Sequence, residues 1–266
     1  MEKLRLILAV VFCAFSWVIV AQSETNPEEK TSDSDNRDTS RMIVINDSNT
    51  CDYDDNNSLR FGMLDLGIST YLSNGSLNLP EQYQFMDQRL INSVNIGVHM
   101  INMRIDFTKD SKPAKVGIVT GLKINMSKYA FEDNFRLNPN QTNFVSSVEF
   151  VNEDLKKNRL FATYLALPLL VDFNLSPKNS HKSIKFSAGY VANILLGANH
   201  KIKGESIGKE RVRNNFHLNK YLGMIEARVG LGPLNLYFQY GLNSLFNDDL
   251  GPDLRPISFG VNIIPR

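Results

Sequence analysis

The stretch Phe161 to Leu175, FATYLALPLLVDFNL, leaves this chain few folds to choose from. Phe161, Leu165, Leu167, Leu169, Val171, Phe173 and Leu175 share one parity. Tyr164, Ala166, Pro168, Asp172 and Asn174 share the other, with Leu170 as the exception. A period of two residues is an extended strand with one apolar and one polar face. After the turn SPKNSHK the pattern resumes, with Ile184, Phe186, Ala188, Tyr190, Ala192, Ile194, Leu196 and Ala198 against Lys185, Ser187, Gly189 and Asn193. Both runs exceed the roughly five or six residues of an ordinary strand. They suit a strand that crosses a bilayer at a tilt, which takes about nine to eleven.

The same pattern predicts six further strands: Phe61–Leu72, Ser93–Phe107, Val116–Tyr129, Leu218–Leu231, Leu234–Asn243 and Arg255–Ile264. In the second, the apolar parity runs Val94, Ile96, Val98, Met100 and then switches to Ile101, Met103, Ile105, Phe107. That phase change implies a β-bulge near Met100. The connections alternate long, short, long, short, long, short, long. Short turns on one side and long loops on the other, with an even strand count, describe an outer-membrane barrel whose turns face the periplasm. The expectation is an all-β fold: an eight-stranded antiparallel up-and-down transmembrane β-barrel with an N-terminal disordered extension.

Alternation alone does not say which face is inside, because a soluble lipocalin-like barrel turns its apolar face inward around a ligand. The polar face decides for the membrane. It carries Gly67, Ser69, Gly117, Gly121, Ser127, Ser187, Gly189, Gly230, Gly241, Ser258 and Gly260, sizes that suit a narrow bore. Its charges, Asp65, Lys123, Asp172, Lys185, Glu226 and Arg228, are expected to pair with one another inside and fill the lumen as a network. Phe107, Phe173 and Phe186 fall at periplasmic strand ends, where an aromatic girdle belongs.

Ahead of the barrel, residues 1–21 read as a secretory signal peptide: Lys3 and Arg5, an apolar core Leu6–Val20, and a cleavage site ending at Ala21. Cleavage would remove Cys13 and leave Cys51 alone, so no disulfide or Cys-based metal site is expected. Residues 22–58 hold ten acidic against three basic side chains, too polar to offset their ordering entropy, and read as a largely disordered periplasmic extension. Its one apolar island, Met42–Ile45, reads as a short transient strand, with a docking segment that adds to a sheet edge or enters the barrel mouth as the alternative. The barrel domain is 59–266.

The chemistry is sparse. A net charge of +1 excludes a broad nucleic-acid-binding field. Asp52, Asp54 and Asn56 imitate the start of a calcium loop, but the turn glycine and the closing glutamate are missing, Asn57 and Met63 standing there. His99, His181, His200 and His217 lack metal-ligand spacing, and no serine-nucleophile motif appears. No catalytic, cofactor-binding or metal site is expected. The basic segment Lys201–Arg213 reads as a solvated loop, with lipopolysaccharide phosphates as its alternative partner.

The chain resembles the PorT-like outer-membrane β-barrel proteins of gram-negative bacteria. The resemblance rests on the leader ending VAQ, DTSRMIVIND, VGIVTGLKINMSKYAF, YLALPLLVDFNL and RPISFGVNIIP, from about Asp38 onward. The ending Ile264-Pro265-Arg266 departs from the terminal aromatic common in such barrels. The resemblance implies an outer-membrane location and usually no known enzymatic role, the family's named member belonging to a protein-secretion apparatus. Outer-membrane lipids and envelope or secretion-system proteins are the expected partners, and the barrel is expected to be a monomer. A soluble lipocalin-like ligand binder and an outer-membrane lipid-modifying enzyme are the alternatives.

Overall fold

The computed structural model describes residues 45–46, 50–52, 57–108, 114–139, 141–175, 184–231, 234–248 and 250–263. The expected signal peptide, most of the extension with Met42–Val44, His181 and the final Ile264-Pro265-Arg266 lie outside these residues.

Eight long strands form a closed antiparallel ring: β1 (Leu64–Ser73), β2 (Val94–Asp106), β3 (Ala114–Ala130), β4 (Lys157–Leu175), β5 (Ile184–Lys203), β6 (Tyr221–Leu231), β7 (Leu234–Gly241) and β8 (Leu254–Ile263). Each pairs with the next, and β8 pairs with β1 from Leu254↔Ser73 to Ile263↔Leu64. Closure removes both sheet edges. The connecting segments 107–113, 176–183 and 232–233 are short, while 74–93, 131–156, 204–220 and 242–253 are long. The up-and-down topology and the strand count match the reading of the sequence.

Orientation is settled by exposure. The outward row of β4, Leu167, Leu169, Val171, Phe173 and Leu175, is 43–57% exposed, while Tyr164, Ala166, Leu170 and Asp172 between them are buried. Tyr221, Ile225, Val229, Phe238 and Ile263 continue this belt around the ring. At about 3.3 Å per residue and a tilt of about 40°, the stretch 165–175 spans about 25 Å of height, as the apolar band of a membrane barrel does. A lipocalin-like barrel would bury these side chains, so the soluble alternative fails here.

Two bulges steer the inward face. In β2 the register shifts between His99 and Ile101, where the phase change in the sequence predicts it. The inward positions then pass from Asn95, Gly97 and His99 to Asn102, Arg104 and Asp106. A second shift between Leu195 and Gly197 in β5 is not anticipated. It turns Ala198, His200 and Ile202 inward, so Ala198 leaves the outward row to which alternation assigned it.

The sheet also begins earlier than residue 59. Asn57–Arg60 pairs with β2 from Asn57↔Ile105 to Arg60↔Asn102, collinear with β1. Thr50–Asp52 pairs with it in turn, and Ile45–Asn46 with that strand. The acidic extension therefore contributes strands at the short-turn end instead of staying wholly apart from the barrel. At the long-loop end, Phe135–Leu137 and Val148–Phe150 form their own hairpin. Lys209–Arg213 pairs with the end of β5, so the expected solvated loop is a third strand on an extended hairpin.

Candidate functional site

The bore is filled in three tiers. The middle tier is ionic. Asp65 of β1 and Lys123 of β3 meet with Nζ 3.0 Å from Oδ2, and the same Nζ lies 3.3 Å from Oε2 of Glu226 on β6. Arg228, two residues further along β6, donates through Nε to Oε1 of Glu226. Two cations thus neutralise two carboxylates, and the side chains of Asp65, Lys123 and Glu226 are at most 2% exposed.

The remaining lone pairs are also engaged. His99 Nε2 lies 2.9 Å from Asp65 Oδ2, so this nitrogen carries the proton. The Asn262 amide donates to Oδ1 of Asp65, and the Gln239 amide to Oε2 of Glu226. A buried charge is tolerated only when it is paired and hydrogen-bonded in this way. Room for the network comes from Gly97. A Cβ there would lie 2.8 Å from Asp65 Oδ2 and 3.1 Å from Lys123 Cδ.

The second tier lies toward the short-turn end. Arg104 sets Nη1 2.5 Å from Asp172 Oδ2 and Nε 2.6 Å from Asp106 Oδ1, while the Ser187 hydroxyl donates to Asp172 Oδ1. Arg60, Asn102, Arg104, Asp172, Lys185 and Arg228 line a recess open at this end. Of the six charges expected to form one network, four do: Asp65, Lys123, Glu226 and Arg228. Asp172 joins Arg104 instead. Lys185 makes no ion pair with a carboxylate among the described residues, so its expected pairing is corrected. His99, Arg104 and Asp106 also belong to the site: His99 has the inward parity of Asn95 and Gly97 ahead of the bulge, whereas Arg104 and Asp106 are missed by strict alternation because the Met100 bulge changes which parity of β2 looks inward.

The third tier, at the long-loop end, is apolar. Tyr71, Tyr129, Tyr164, Leu222 and Met224 point inward, and the loops fold Met86, Phe131, Phe135, Phe144, Phe216 and Phe246 over them. Phe144 and Phe246 meet at 4.4 Å between ring centroids, and Phe131 and Phe135 at 5.0 Å. His200 stacks on Phe135 at 5.9 Å. Its Nε2 is 2.7 Å from Asn158 Oδ1, and its Nδ1 accepts the Leu137 N–H at 3.4 Å. Burial with no facing carboxylate pushes its pKa down to about 4. The small and charged residues expected to fill the lumen are therefore joined at its upper end by a layer of aromatic side chains.

Phe107, Phe173 and Phe186 all point outward at the short-turn end, 65%, 43% and 47% exposed. Phe173 and Phe186 are directly opposite each other, and Val116 on the other flank of Phe173 accepts the Phe107 N–H at 2.8 Å. The three rings thus lie along one arc of the rim, at the ends of β2, β4 and β5, with Val116 of β3 between Phe107 and Phe173. Among the described residues no three His, Cys, Asp or Glu side chains gather as a metal ion would need.

Compared with known proteins, residues 64–247 match the family model described as outer membrane protein beta-barrel domain. Neither a curated protein nor a solved structure matches the chain.

Proposed function

From the premise that this chain belongs to the outer membrane protein beta-barrel domain family, we propose a non-enzymatic barrel that acts by interaction, with a bore closed to solutes. The observation that carries this reading is the pairing of an outward apolar belt with an inward layer in which Lys123 joins Asp65 to Glu226. The belt needs hydrocarbon outside. In this reading the ion layer and the aromatic tier above it close the bore to a solute.

In this reading the long loops present the recognition surface outside the cell, and the acidic extension does so in the periplasm. Phe107, Phe173 and Phe186 sit at the periplasmic interface as an aromatic girdle. The partners are outer-membrane lipids and proteins of the envelope, and the barrel stands as a monomer. A secretion-associated role of the PorT-like kind is the finer form of the same proposal.

Cell fractionation tests the first half. The chain should sediment with outer membranes and need detergent for release; recovery from the soluble periplasm without detergent would sink the reading. Planar-bilayer recording tests the second half, since discrete conductance steps from the purified barrel would contradict a closed bore.

A further inference from the structure

Above the apolar belt, the upper ends of β4 and β5 and the strand Lys209–Arg213 form a three-stranded face. Its outward positions fall in rows. Arg159, Lys201 and Arg211 make one row, and Lys157, Lys203 and Lys209 the next. Below them Arg213 stands opposite Asn199, which is opposite Phe161, itself opposite Lys128 of β3. Lys157, Lys203, Lys209, Arg211 and Arg213 are exposed, and Arg159 and Lys201 are half-buried.

Like charges placed directly opposite destabilise a sheet, and here both rows consist of nothing else. The nearby carboxylates do not relieve them. Glu210 pairs with Ile202 on the other face, Glu205 holds Lys156 at 2.6 Å, and Glu149 holds Arg136 at 2.6 Å. Among the described residues none of the six row cations, nor Arg213, makes an ion pair. Arg211 Nε donates to Asn199 Oδ1 at 3.0 Å, which holds its guanidinium along the face. The repulsion, led by Lys209, holds the Lys201 ammonium below its usual range.

The place of the face matters as much as its charge. Down β4 the same outward parity runs from Lys157 and Arg159 through Phe161 and Thr163 to Leu165, Leu167 and Leu169. Arg159 is one outward position beyond Phe161, about 5 Å higher at a tilt of about 40°. Cations at this height meet headgroups, while the side chains beneath them meet acyl chains.

We propose that this face docks the phosphates of a phosphorylated glycolipid in the leaflet the long loops enter, lipopolysaccharide in its chemistry. The acyl chains lie on the Leu165–Leu169 belt, and phosphate oxygens sit between the two rows. Arg159 and Arg211 offer planar forks that engage phosphate bidentately, and the lysines act as point charges. An anion between the rows removes the repulsion that the sheet carries without it. The inference rests on the reading of the barrel as membrane-spanning.

The test uses the full chain purified in non-ionic detergent and fluorescently labelled lipopolysaccharide. The variant K201Q/K203Q/K209Q/R211Q should bind at least tenfold more weakly at low salt. The charge-keeping variant K201R/K203R/K209R should bind as the wild type does. Equal binding by the neutral variant would overturn the proposal. So would inorganic polyphosphate displacing the label as effectively as unlabelled lipopolysaccharide, because the site would then read phosphate without lipid. Should the fourfold variant not fold, K203Q and R211Q singly should each weaken binding two- to threefold, and no change in either would overturn it. Insertion into phosphatidylcholine vesicles is measured alongside. A wild-type chain that enters no vesicle discredits the membrane reading itself, whereas insertion with unselective binding discredits only this face.

Discussion

The phenol oxygen of Tyr237 stands 2.5 Å from the point where a Cβ on Gly67 would sit. Tyr237 reaches across the β8–β1 seam and donates to Asn95 Oδ1 at 3.0 Å. Gly67 faces Gly260 across that seam, where a Cβ on Gly67 would also lie 2.3 Å from the Phe259 carbonyl oxygen. The ring therefore closes through a glycine pair with a tyrosine folded over it. Gly67→Ala should destabilise the barrel by about 2 kcal/mol, the usual cost of overpacking. Tyr237→Ala should not rescue it, since the carbonyl remains. Gly197→Ala is the control, because a Cβ there meets nothing within 4 Å. The check is the urea midpoint of refolded protein in detergent; equal midpoints for G67A and G197A would refute the seam argument.

Lys123 bridges carboxylates from opposite sides of the ring. Lys123→Met should cost roughly 3–5 kcal/mol, because it leaves two buried carboxylates with less compensation. Adding Glu226→Gln should recover part of that loss, with a coupling of about 0.5–3 kcal/mol. Denaturant midpoints of the two single variants and the double variant decide it. Strictly additive losses would mean that the bridge contributes nothing as a pair.

Most of the architecture is legible in the sequence because lipid outside and a narrow bore inside impose opposite chemistries on alternate residues. Lys123, Asp65, Glu226 and Arg228 are readable for that reason. Arg104 and Asp106 are not read as inward, although the bulge that turns them is. The phase change shows in the apolar residues Ile101, Met103 and Ile105, while the polar and charged residues between them carry no period of their own. The Leu196 bulge escapes because Leu195 and Leu196 are both apolar, so no change of parity shows. The aromatic cap depends on contacts between residues far apart in the chain, such as Phe144 with Phe246, which no local period reports.

The outward row predicts a response that depends on depth. Leu169 is 57% exposed near the middle of the β4 belt, while Thr163 lies toward its upper edge. Leu169→Arg should cost about 2–4 kcal/mol in a bilayer, against about 0–1 for Thr163→Arg. Refolding into phosphatidylcholine vesicles, followed by denaturant titration, measures both. A Leu169→Arg variant as stable as the wild type would mean that this face does not meet hydrocarbon.

His200 makes the outer cap sensitive to acid. In the folded cap both ring nitrogens are used in the neutral form, and burial holds the pKa at about 4 against an ordinary 6.5. As pH falls, the opened cap takes up the proton first. Stability is therefore whole above pH ~6.5, is lost progressively between ~6.5 and ~4, and changes no further below that. The full swing is roughly 3 kcal/mol, enough to raise the open population by a factor of about 300. Hydrogen exchange across residues 131–156 should accelerate over that window in the wild type and much less in His200→Gln. Parallel acceleration in both proteins would assign the acid response to another group. Unchanged exchange at the buried β-strand amides would show that the cap opens while the ring beneath it stays closed.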